Sequence, residues 1–214
     1  MDGSALARVF AATAERRRAV ADLLEALDES QLAAPSLCAG WDVLTVGAHL
    51  AQTAAPGALG EFLRDVVRAR GSIHRANDAA ARRAGQRPVA ETVTLLRRRA
   101  ESRFSPPLTG PRAPLTDLLV HEGDMRLPLG LGHDPDPGTV RVGLEFVTTG
   151  RAVGFAPRGR LRGLRLAATD LDWAWGEGAA LTGRGIDLLM GACGRSAVLP
   201  RLDGAGLPLL AGRL

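Results

Sequence analysis

The chain has 214 residues, 46% of them hydrophobic and 4% aromatic, with a formal net charge of +4. That length suits one large domain or two small ones, and two distant cysteines, Cys38 and Cys193, exclude a disulfide framework or a thiolate zinc knot. All 27 basic residues are arginine, dispersed and without interleaved aromatics, so no nucleic-acid partner is expected.

The N-terminal "MDGSALARVF" has neither the charged nor the apolar region of a signal peptide, and no apolar run approaches the ~18 residues that cross a bilayer. A cytoplasmic protein without a membrane partner is therefore expected. Residues 4–27 read as a long helix with Leu6, Phe10, Val20, Leu24 and Leu27 on one stripe, Ser4 as its cap, and Arg17 snorkelling from the apolar face. After the breaker-rich "APSLCAG" at 34–40, residues 41–54 form a second helix, with Asp42 at its positive end and His49 at the edge of its apolar stripe.

Residues 58–84 are helical, interrupted at Gly71, with Leu59, Phe62, Leu63, Val66 and Val67 inward. Another amphipathic helix covers 88–104, and a further one starts at Pro114 and Thr116 and ends in "LPLGLGHDPDPG". One more spans 139–154. Beyond residue 157 the texture changes. The alternation in "LRGLRLAATDLDWAWGEG" reads as two short strands, 183–195 as a helix, "SAVLPRL" as strand-like and the tail as a short helix. The fold class is mainly α with a small α+β part, divided into 1–157 and 158–214.

In "DLLVHEGDMRLPLG" at 117–130, Asp117 and His121 lie four apart on one helix face. A second imidazole from another helix completes a three-ligand site, and His49 is the best placed. Two nitrogens and a carboxylate suit a divalent ion, zinc above all, with a position open for exchange. The bland alternatives are a solvated acidic face and a satisfied core histidine. His74 and His133 are expected to be exposed, and Trp41, Trp173 and Trp175 to be packing anchors.

"LCAGWDVLTVGAHL" at 37–50 resembles the C-x-G-W…H-L segment of the DinB-like superfamily, in its maleylpyruvate isomerase branch, the mycothiol-dependent enzymes of actinobacteria. "DLLVHEGDMRLPLG" resembles that branch's E-l-x-V-H-x-x-D-x-R-x-P-L-G. "LAATDLDWAWGEGAALTGRGIDLLMGACGR" resembles its C-terminal domain, with the D-x-x-W-x-x-G-x-G turn and G-R end. The resemblance implies a DinB-like four-helix bundle followed by a small C-terminal α/β domain. It places the metal ligands on His49, Asp117 and His121, where Asp117 replaces the usual glutamate and shortens the reach by one methylene.

Asp124 then either orients His121 or pairs with an arginine at the surface. Arg75 and Arg195 correspond to arginines that hold anionic groups of substrate and thiol, against the alternative of solvated charges. Cys38 matches the family cysteine and is expected to be a buried structural thiol. The implied cofactors are a divalent metal, zinc, and mycothiol as cosubstrate. The implied activity is an isomerase or S-transferase acting on a small activated electrophile through a metal-bound thiolate. A metal-dependent hydrolase or lyase using bound water, and a non-catalytic ligand-binding bundle, are the alternatives.

Overall fold

Asp2, not Ser4, starts the first helix: its carboxylate accepts the Ala5 N–H at 2.7 Å, and α1 runs Gly3–Ala26. The computed structural model describes residues 2–55, 57–106, 109–149 and 152–214, and the side chains of all of these except Ala58 and Leu59. By contact the chain divides into two compact units, residues 1–106 with 121–133, and residues 107–120 with 134–214. The composition shift near residue 157 falls inside the second.

In the first unit α1 is followed by the single turn α2 (Glu29–Leu32), then α3 (Val43–Thr53), α4 (Ala58–Arg68), α5 (Ile73–Gly85) and α6 (Val89–Arg98). α3 packs on α1, α5 and α6, and α1 on α6. Val20, Leu24, Val43, Val46, Leu50 and Leu96 are buried between them. The approach of α1 to α3 depends on Gly47, where a Cβ would stand 2.5 Å from Leu24 Cδ1. The expected break at Gly71 divides α4 from α5, with Arg70 and Gly71 at φ 53° and 81°.

Two expectations fail here. Arg17 does not snorkel; it is 3% exposed. Its guanidinium donates to the carbonyls of Ala100 at 2.9 Å and Ser102 at 2.8 Å, satisfying the chain as it leaves α6. Burial lowers its pKa to about 10. On α4, Leu63 and Val67 are 55% and 77% exposed, whereas Asp65 is 5% exposed. Asp65 accepts from Arg68 at 3.2 Å and from Arg83 of α5 at 2.5 Å, so it is held inward beside the half-buried Phe62 and Val66, while the Leu63 and Val67 edge of the expected stripe is exposed. The side chain of Leu59 lies outside the described residues.

α7 (Arg112–Arg126) runs from the second unit into the first. The second unit continues with α8 (Pro137–Thr148) and a three-stranded sheet of order β2-β1-β3. The two expected strands are β1 (Leu164–Ala168) and β2 (Ala174–Trp175), paired antiparallel, and β3 (Ala179–Gly183) lies parallel to β1. Asp170 accepts the Gly185 N–H at 2.8 Å at the start of α9 (Gly185–Ala192). "SAVLPRL" is not a strand: Ser196–Arg201 is a 3-10 turn, and α10 (Leu207–Ala211) follows. Among the described residues no helix is long and apolar enough to cross a membrane.

Two substitutions test this packing by urea unfolding. Arg17→Met leaves buried carbonyls without a donor and is expected to cost about 3 kcal/mol. Gly47→Ala drives a methyl into Leu24 and is expected to cost roughly 1–3 kcal/mol.

Candidate metal centre

The acidic run of α7 is not a solvated face. Glu122 is 2% exposed and Asp124 0%. Leu115, Leu118, Leu119, Val120 and Met125 are buried as well, so packing fixes the rotation of the helix. Glu122 accepts from Arg126 Nε at 2.8 Å and lies 3.5 Å from an Arg16 nitrogen. A buried carboxylate needs such partners.

Asp124 has a different role. Its Oδ2 lies 2.9 Å from His121 Nδ1 and accepts the Cys38 thiol at 3.2 Å. Its backbone carbonyl accepts the Leu37 N–H at 3.0 Å. The loop before α3 is therefore tied to α7 at Asp124, and of the two alternatives for this residue the orienting one matches the geometry.

α3 supplies the other imidazole. Asp42 caps it, accepting the Thr45 N–H at 2.7 Å. His49, on its second turn, is 6% exposed. The His49 and His121 rings stand edge to face with centroids 5.2 Å apart. Trp41 lies 5.3 Å from His49 and 6.3 Å from His121, walling both. Its Nε1–H donates to Asp78 at 2.8 Å, and Arg82 donates to both oxygens of Asp78 at 3.0 Å. Arg82, and then the indole, hold the Asp78 carboxyl below the usual carboxylate range.

His49, Asp117 and His121 each offer one ligand atom, and the three atoms lie within 4.8 Å of one another. Donors about 2.0–2.2 Å from a tetrahedral zinc are roughly 3.4 Å apart, so small side-chain movements close the set. With His121 Nδ1 turned to Asp124, Nε2 is the nitrogen left for a cation. The donor chemistry fits a divalent ion. Among the described residues Cys38, His121 and Asp124 form a second such group, sharing His121.

The remaining expectations divide. His74 is exposed as expected, but His133 is 5% exposed, buried despite its Pro/Asp loop. Cys38 is half-buried and bonded to Asp124 rather than a buried packing thiol. Arg75 is exposed on α5 and donates to the Ala69 carbonyl at 2.9 Å. Arg195 donates to the Cys193 carbonyl at 2.9 Å. One turn beyond His49, Gln52 joins Glu61, Asp65, Arg64, Arg68, Arg83 and Arg87 around a polar groove of about 270 Å³, in which Asp65 pairs with Arg68 and Arg83. No motif marks that groove, because its arginines look like any others in so arginine-rich a chain.

Residues 13–105 match the family model described as the mycothiol maleylpyruvate isomerase N-terminal domain. Two solved structures are similar over nearly the whole chain, mycothiol-dependent maleylpyruvate isomerase and a histidine-to-alanine mutant of it. Identities are 14% and 13%, with 94% of this chain and 92% of each of those covered, at a TM-score of 0.59 for both. At that identity the likeness is one of fold. No curated protein matches in sequence.

The Asp78 contacts carry a pH signature. A carboxyl whose folded pKa is depressed adds stability above its unfolded value of about 3.8 and loses it as pH falls through the folded value. Asp78→Ala is therefore expected to unfold at lower urea than wild type near neutral pH, with the gap closing in acid.

Proposed function

From the match of residues 13–105 to the mycothiol maleylpyruvate isomerase N-terminal domain model, we propose that this protein is a metal- and thiol-dependent enzyme. It acts on a small activated electrophile as an isomerase or S-transferase, with mycothiol as the thiol cosubstrate. The observation that carries this reading is the convergence of His49, Asp117 and His121 from two helices, with Asp124 bonded to the far nitrogen of His121.

In this reading His49 and His121 each offer a neutral imidazole nitrogen and Asp117 a carboxylate oxygen. That set matches zinc with a position left for an exchangeable ligand. The ion supplies Lewis acidity that lowers the pKa of a bound thiol or water. Asp124 holds the His121 ring in one tautomer and orientation. Trp41 covers both rings and limits the approach of water from its side, which strengthens electrostatic interactions at the donors.

Aspartate at 117 carries the charge of the family's glutamate on a shorter stem, so either α7 would stand closer to a bound ion or a water would intervene. Arg75 and Arg195 are proposed to hold anionic groups of substrate and thiol, since the guanidinium fork matches a carboxylate. A thiolate that adds to an activated double bond and leaves after bond rotation isomerises it; one that stays is transferred.

Wild-type protein is expected to bind a single equivalent of zinc, which in a Cys38→Ser background His49→Ala and His121→Ala abolish in elemental analysis. Asp124→Asn is expected to weaken zinc binding about 10–100-fold by calorimetry. Turnover of a maleyl-type electrophile is expected only with metal and thiol together. Equal turnover without thiol contradicts the thiol reading, and full zinc occupancy in the His49→Ala, Cys38→Ser double variant contradicts the metal centre.

A further inference from the structure

The zinc reading uses Asp124 as a support and leaves Cys38 without a role. We propose that Cys38 Sγ, His121 Nδ1 and Asp124 Oδ2 form a second cation position, selective for thiophilic ions such as Cd2+, whose occupancy excludes a cation from the His49 position.

The distances carry the proposal. Sγ lies 3.5 Å from Nδ1 and 3.2 Å from Oδ2, and Nδ1 lies 2.9 Å from Oδ2. Around a tetrahedral ion with bonds of about 2.3 Å to sulfur and 2.0–2.2 Å to nitrogen or oxygen, such donors are roughly 3.4–3.6 Å apart. The three atoms therefore need to spread by only a few tenths of an ångström.

They are also held in place. His121 and Asp124 stand one turn apart on α7, and Asp124 is completely buried. Cys38 is fixed by its neighbours. Its N–H donates to Ser36 Oγ at 3.1 Å, Ser36 Oγ–H donates to the Trp41 carbonyl at 2.9 Å, and the Leu37 N–H donates to the Asp124 carbonyl at 3.0 Å. Cys38 is half-buried rather than sealed, so an ion has a way in.

A thiolate donor selects soft cations over the hard ones that a nitrogen and oxygen set accepts. Binding releases the thiol proton to solvent. It also needs the lone pair of Nδ1, and a neutral imidazole has one lone pair. The ring proton then resides on Nε2, and the His49–Asp117 set loses its third donor. This exclusion rests on the zinc reading above; the position itself does not.

The test titrates Cd2+ into the full-length protein and follows thiolate-to-cadmium charge-transfer absorption. Wild type, His49→Ala and Cys193→Ser are expected to develop the band with one equivalent of Cd2+, and Cys38→Ser to lack it. Cadmium NMR of wild type needs no variant and is expected to report one sulfur donor with nitrogen and oxygen. A wild type without the band, a band that survives in Cys38→Ser, or a cadmium resonance of nitrogen and oxygen donors alone overturns the position. Zinc loaded beforehand is expected to leave as cadmium enters; both ions held together overturn the exclusion. A wild type that shows the cadmium band yet binds no zinc supports this position and counts against the zinc reading instead.

Discussion

The contact between Asp124 Oδ2 and His121 Nδ1, 2.9 Å long and closed to solvent on the carboxylate side, is the constraint on which the rest of the centre depends. A buried carboxylate is costly unless it is bonded. Here its partners are an imidazole on the same helix and the thiol of Cys38. The arrangement settles which nitrogen of His121 faces away from Asp124. Without it the ring could turn, and the donors of α3 and α7 would share no fixed direction.

The same residue connects local structure to packing. Its backbone carbonyl anchors the loop that delivers Trp41 and the cap of α3. Trp41 in turn stacks against His121, lies tilted against His49 and bonds to Asp78 on α5. Hydrophobic burial of Leu118, Leu119 and Val120 fixes the roll of α7, and Gly47 lets α3 sit close to α1. The site is thus held by several helices, so its geometry is as rigid as the packing beneath it.

Much of this was legible in the chain. The 3.6-residue spacing of Val43, Val46 and Leu50 marked α3, and Asp117 and His121 at four apart marked one face of α7. What periodicity could not report was burial of charge. Arg17, Asp65 and Glu122 are indistinguishable from solvated residues until the fold is known: besides the local Arg68 and Arg126, their partners are 83, 18 and 106 positions away. On α4 Asp65 is buried beside the half-buried Phe62 and Val66, while Leu63 and Val67 of the expected apolar stripe are exposed. β3 was missed because "AALTG" has too little alternation to signal a strand whose neighbour is parallel and not a hairpin partner. Cys38 offered no signal beyond its place in the C-x-G-W segment; only the fold puts it beside His121.

The most direct test of the centre is zinc-edge X-ray absorption on protein loaded with one equivalent of the metal. Two imidazoles and a carboxylate predict nitrogen and oxygen scatterers at about 2.0–2.2 Å, with the outer-shell pattern of two imidazole rings. A spectrum without imidazole scattering, or one dominated by sulfur at about 2.3 Å, would contradict the assignment of His49, Asp117 and His121 as the zinc ligands.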